Sequence, residues 1–316
     1  MLSKVWEKAG ERLAGEATAR LLTPVAVFWF AGLAAWAWRQ SQDRSGGLAK
    51  VGADLARLPA VLQLATVLVA GLAIVVSALV TQRLSVPLLR LLEGYWPLGR
   101  GDGRRRRLHG RRTRDQERAG TLEAQRLADG RLPAREADEL ARLQLKLRNA
   151  PGTLEQTMPT RFGNRLRAAE MRPSAKHGLD IVACWPHLWL LLDDRVRSEL
   201  ARGRAEMDMA AHTVWWSLAV VVWTPLAWWT LPLGPLLAAA VYYGWLLPAA
   251  QTHGDLVEAA FDLFRPRIYQ ALRWPLPVGP QAEQAQGAEL TRYVWQGLAP
   301  RHLLFETNVE GKGTPS

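Results

Sequence analysis

From Leu58 to Val80 the chain reads LPAVLQLATVLVAGLAIVVSALV without one ionisable side chain. At about 1.5 Å of rise per residue, a helix of this length covers the roughly 30 Å hydrocarbon core of a bilayer. Its weakly polar members, Gln63, Thr66 and Ser77, fit structural packing between helices better than a transport path. Leu21–Trp38 (LLTPVAVFWFAGLAAWAW) has the same character, and Thr213–Thr230 and Leu233–Ala250 are further apolar runs of spanning length. With 316 residues, of which 49% are hydrophobic, the chain has room for two soluble domains. The grouping of its apolar residues instead predicts an all-α integral membrane protein and argues against an ordinary soluble enzyme.

The four runs pair into two transmembrane helical hairpins around a cytoplasmic helical insert. The expected order is a cytoplasmic N-terminal segment (1–20), a first hairpin (21–82), a basic helical insert (83–212), a second hairpin (213–250) and a cytoplasmic amphipathic tail (251–316). The break in the second hairpin is expected at TLPLGP, where Pro232 and Pro235 interrupt the pattern, and Pro225 is a candidate kink. Residues 1–20 carry too mixed a charge for a simple secretory signal. Orientation follows from arginine. Residues 83–114 hold ten Arg opposed only by Glu93 and Asp102, which places the insert and both termini on the cytoplasmic side of a bacterial inner membrane. The net charge of +11 therefore reads as retention beside anionic lipids, with nucleic acid an unlikely partner for want of interleaved aromatics. Limited interior volume in four helices predicts a homo-oligomer, and the insert leaves room for a cytoplasmic protein partner.

Within the insert, RGDGRRRRLHGRRTR reads as a flexible surface segment, with helices expected from about Leu122 onward. Asp138 and Arg142 have the spacing of an i,i+4 ion pair. In MPTRFGNRLRAAEMRP, Thr160 is a helix cap, and Arg161, Arg165 and Arg172 share a face with Asn164, Arg167 and Glu170 fanning around it. These six residues are the candidate anion-binding or inter-subunit site. Gly178–Leu192 (GLDIVACWPHLWLLL) is shorter than a normal span; burial in the cytoplasmic insert or a place at the interface is favoured over re-entry into the membrane. In the tail, Val257, Phe261, Phe264 and Ile268 line one helical face, and LTRYVWQGL is a further short docking helix. His253, Asp255, Glu258 and Asp262 form a candidate interfacial polar cluster. Trp215 and Trp216, with Trp228 and Trp229, are candidate interfacial anchors at the two ends of the third span.

PTRFGNRLRAAE (159–170), GLDIVACWPHLWLLL (178–192) and GDLVEAAFDLFRPRIYQAL (254–272) resemble segments of an uncharacterised bacterial membrane protein family. The resemblance extends from the second span to about residue 298 and implies two membrane hairpins around a cytoplasmic helical insert; it implies no activity. No catalytic, cofactor or metal site is expected, since the chain carries no HExxH, Walker, dinucleotide or hydrolase-elbow motif. Cys184 is the sole cysteine, so an intramolecular disulfide is excluded. The expected function is a membrane-embedded scaffold or signalling component. The alternatives are a homo-oligomeric ion channel or gated conduit, and a membrane-associated enzyme.

Overall fold

The computed structural model describes residues 24–42, 52–53, 56–57 and 59–298. The expected N-terminal segment 1–20, much of the 39–57 connection and the GKGTPS end lie outside those residues. All regular structure among the described residues is helical, with no strand. Two compact units form. One comprises the described chain up to Tyr95 together with Ala205–Ala249, and the other comprises Trp96–Arg204 together with the described chain from Ala250 onward.

The first unit contains α1 (24–42), α2 (Ala60–Arg83) and α3 (Ser85–Glu93), followed by the later part of α8 (Asp194–Ala219). A 3₁₀ turn at Val220–Trp223 leads towards α9 (Thr230–Val241). A π-turn at Tyr242–Leu246 joins α9 to α10 (Leu247–Ala271), so that Thr230–Ala271 is one continuous helix of 42 residues. The core is aromatic. The Phe28 ring centroid lies 4.9 Å from Trp216 and 5.2 Å from Trp223, and Trp29 donates its indole N–H to Ser77 at 3.3 Å. Gly32 permits this packing, because a Cβ there would come within 2.5 Å of the Trp223 indole.

Only two helices among the described residues are long and apolar enough to cross a membrane, Ala60–Arg83 and Thr230–Ala271. The four-span expectation is corrected most clearly at Thr213–Thr230, which is not one helix. Pro225 has no N–H to give the Val221 carbonyl. That oxygen instead accepts from the backbone N–H of Thr224 at 3.0 Å and from its hydroxyl at 2.6 Å, and the helix tightens and ends. The break therefore falls before Thr230 and not at TLPLGP. Pro232 sits in the first turn of α9, where a missing amide donor costs no helical bond.

The second unit contains α4 (Asp102–Asp129), α5 (Ala134–Arg148), α6 (Arg161–His177) and α7 (Ile181–Leu191). The first part of α8, the rest of α10 and α11 (Pro280–Gln296) complete it. The arginine-rich run expected to be flexible lies in α4, a helix of 28 residues. Arginine is a good helix former, and the helix gains tertiary support farther along, where Ala119 and Leu122 pack on Leu140 and Leu143 of α5. Arg142 donates to the Asp138 backbone carbonyl and makes no carboxylate pair with it; the α4–α5 contact is instead bridged by Arg118 and Glu139, at 2.9 and 3.0 Å.

Helix α7 carries the GLDIVACWPHLWLLL segment. Asp180 caps it by accepting from the N–H groups of Val182 (2.8 Å) and Ala183 (3.1 Å). Cys184 and Leu188 enter a core completed by Phe261, Ile268, Tyr269, Trp274 and Leu290. Helix α10 continues through Pro266. Two glycines let α6 and α11 meet backbone to backbone. Gly178 ends α6 at φ +70°, and a Cβ there would lie 2.0 Å from the Gln284 carbonyl oxygen. A Cβ on Gly287 would lie 1.9 Å from the His177 carbonyl oxygen.

Candidate functional site

The second unit holds two groupings of charge. The first is a seam between the α5–α6 region and α10–α11. Glu258 has a side chain only 6% exposed and lies among three cations. Arg148 donates to it at 2.9 Å, and Arg172 and Lys176 also pair with it. Asp255 accepts from Arg148 at 3.1 Å and from Arg172 at 3.0 Å. Asp262 meets Lys176 at 3.0 Å and His177 Nε2 at 2.7 Å, while Arg265 pairs with Glu283.

The hydrogen bond to Glu258 raises the pKa of Lys176 above its ordinary value, outweighing partial burial. Burial pushes the Glu283 carboxyl up, but the hydrogen bond and charge of Arg265 more than offset it, so its pKa lies below the usual carboxylate value. Asp255, Glu258, Asp262 and Glu283 are thus all paired within the seam.

The candidate polar cluster is thereby divided. Asp255, Glu258 and Asp262 belong to the seam, whereas His253 faces Gly203, and its Nδ1 is buried without a hydrogen-bond partner. His177 turns towards Asp262, while Asp180 serves as a cap. The partners that join α5–α6 to α10 lie far apart in sequence, 83 positions between Arg172 and Asp255, so local spacing carries no sign of their pairing; Arg265 and Glu283 are closer, 18 positions apart.

The second grouping is a cleft of about 630 Å³ between α4, α5 and the start of α6, with Gln251 at its wall. Among the described residues Arg111, Arg112, Arg114, Lys146, Arg161 and Arg165 line it, against a single carboxylate, Asp115. Its apolar lining comes from Leu108, Leu145, Leu147 and Ala150. Two other features hold the wall in place. Arg105 donates to the carbonyls of Leu154, Glu155 and Thr157 at 2.8–3.1 Å, tying the α5–α6 loop to α4. Asn164 exchanges a pair of hydrogen bonds with the Met158 backbone at 2.7 and 3.0 Å, and Thr160 accepts from the Gly163 N–H at 2.9 Å. Arg112 reaches Gln116 at 2.8 Å and the carbonyls of Ala150 and Gly152 at 3.4 Å; partial burial lowers its pKa from the ordinary value.

The six candidate residues on α6 are likewise separated. Arg161, Asn164 and Arg165 line the cleft, whereas Arg172 enters the seam. Arg172 lies seven positions after Arg165, which keeps them on nearly the same helical face, but two turns on, the facing element differs. Arg167 and Glu170 pair with each other at 3.3 Å on the surface. The contribution of α4 to the cleft does not follow from the expectation of a flexible segment; the recurrence of its arginines along a helix is the signal that points to it. Of the four candidate anchors, Trp216 packs in the aromatic core of the first unit, tilted against Phe28, Trp215 and Trp229 are half-buried, and Trp228 is exposed.

Among the described residues no group of three or more His, Cys, Asp or Glu is placed to hold a metal ion. Burial pushes the Cys184 thiol up to about 11, which leaves it protonated and a poor nucleophile at neutral pH. No family model, curated protein or solved structure matches the chain.

Proposed function

We propose that the chain is a membrane-embedded scaffold whose second unit stands in the aqueous phase beside an anionic leaflet. The observation that carries this reading is α2. Its mean hydropathy reaches 2.5, and only 12% of that stretch is buried within the chain. Val61, Leu64, Leu68, Val69, Leu72 and Val76 are exposed around its circumference. A core helix of a soluble domain would bury such side chains, whereas lipid solvates them without a partner. The apolar first part of Thr230–Ala271 provides the second anchor, giving a multi-pass protein of the inner membrane. The arginines of α4 favour the cytoplasmic side for the second unit. Exposed small and apolar residues on both spans supply surfaces for self-association into a homo-oligomer.

A scaffold is preferred to a conduit because the apolar stretches of the two spans contain no row of ionisable side chains. It is preferred to an enzyme because Asp255, Glu258, Asp262 and Glu283 are engaged in ion pairs and the one thiol is buried. The test is extraction of the full chain from membranes. Wild-type protein is expected to remain in the membrane through alkaline carbonate washing and to require detergent. Introducing charge at the centre of α2, as Leu68→Arg with Leu72→Arg, is expected to reduce insertion sharply. Recovery of wild-type chain as a folded, monodisperse species without detergent would overturn the membrane reading.

A further inference from the structure

We infer that the cleft lined by Arg111, Arg112, Arg114, Lys146, Arg161 and Arg165 binds a compact phosphorylated ligand carrying two or more negative charges. The inference goes beyond the scaffold reading and does not depend on it, because the cleft is built entirely within the second unit.

Three observations define the ligand class. The first is charge. Among the described residues six cations face one carboxylate, and neither Arg111 nor Lys146 has an ion-pair partner there, unlike Arg118 farther along α4, which pairs with Glu139. Cations gathered around one concavity repel each other, and a polyvalent anion removes that cost while gaining charge-assisted hydrogen bonds. The start of α6, capped by Thr160, adds the positive end of a helix dipole to the same wall.

The second observation is preorganisation. Arg112 is held against the backbone carbonyls of Ala150 and Gly152, and Asn164 fixes the loop preceding α6. The cations on these elements are therefore presented from a braced frame, which lowers the entropy lost on binding.

The third is the remaining lining. A volume of about 630 Å³ suits a small organic molecule. Leu108, Leu145 and Leu147 offer apolar contact to an uncharged moiety, and Asn149 Oδ1 is buried with no partner and can accept a ligand hydroxyl. Among the described residues no aromatic side chain lines the cleft, so stacking of nucleic-acid bases has no platform there. Phosphate groups on a hydroxylated carrier match these features, whether the carrier is a free metabolite or the headgroup of a lipid.

The experiment uses the full chain in detergent micelles and in nanodiscs, with binding measured by calorimetry. Inorganic pyrophosphate represents the soluble source. Nanodiscs of phosphatidylcholine, with and without phosphatidic acid, represent the lipid source, read as protection of α4 and α6 from hydrogen exchange. The double variant Arg111→Ala with Lys146→Ala is expected to weaken the response at least tenfold, as loss of charge-assisted hydrogen bonds requires. The charge-matched control Arg126→Ala with Arg135→Ala, outside the cleft on the same two helices, is expected to change it less than twofold. Asp115→Asn is expected to tighten binding several-fold, a gain that misfolding cannot produce. Saturation by pyrophosphate in micelles assigns a soluble ligand, and a response seen only with phosphatidic acid assigns a lipid headgroup; either supports the site. The inference is overturned if neither probe binds, or if cleft and control variants weaken binding equally. Tighter binding of a single-stranded oligonucleotide than of either probe overturns it as well.

Discussion

Glu258 accepts from Arg148 and pairs with Arg172 and Lys176 while almost wholly shielded from water. Removing one member of a buried ionic cluster leaves its partners uncompensated, at a cost of about 3–5 kcal/mol. Glu258→Gln is therefore expected to lower stability by about 3 kcal/mol in chemical denaturation. Replacing Arg172 and Glu258 together by Met and Leu should cost less than either single change, since no lone charge then remains between them. Unchanged stability in Glu258→Gln would mean that the seam is hydrated in solution. Acid should act at Glu283. Its carboxyl has a lower pKa folded than unfolded, so its stabilising contribution is present above the ordinary carboxylate pKa of 4.5 and is lost as the pH falls through the folded value. Hydrogen exchange across 280–296 should therefore accelerate below about pH 4.5 before the α4–α5 pair loosens. Lys176 has the opposite sign. Its raised pKa gives stability that is complete below 10.5 and is lost as the pH climbs through the folded value.

At the scale of elements, the tightest packing is between α6 and α11, where glycine replaces side-chain contact. Gly287→Ala would drive a methyl group into the His177 carbonyl, and Gly178→Ala would add a strained positive φ to a clash with Gln284. Each is expected to cost several kcal/mol, on the order of a severe core defect, and to expose Trp274, read as a red shift of its fluorescence. In the α4–α5 hairpin, Leu122→Ala should cost about 2–5 kcal/mol, whereas Glu139→Ala, which breaks an exposed, solvent-screened pair, should change stability far less. Elements announced by local pattern were legible in advance. The apolar run of α2, the Thr160 cap and the apolar face of α10 all depend on neighbours within a few residues. Two elements were not legible in this way. Helix α4 offers arginine and glycine where a buried stripe is expected, and its tertiary anchor begins only at Ala119. The end of α8 depends on which residue supplies a donor to the Val221 carbonyl, a competition that composition does not display.

For the whole molecule, the candidate cleft was legible only in part, because half of its cations come from α4 and its shape from a loop held by Arg105 and Asn164. The seam was invisible in the sequence because it joins residues from opposite ends of the second unit's interrupted chain. That interruption has a consequence for biosynthesis. Arg148, Arg172 and Lys176 leave the ribosome long before Asp255, Glu258 and Asp262 are made, and at roughly 5–20 residues per second the delay is several seconds. During it the nascent chain carries orphaned cations on helices that have no counter-surface, while the apolar residues of 213–250 have still to be translated. A chain stopped at Ala250 should therefore persist as a chaperone-bound, protease-sensitive fragment, and supplying 251–316 as a separate polypeptide should restore its resistance to digestion.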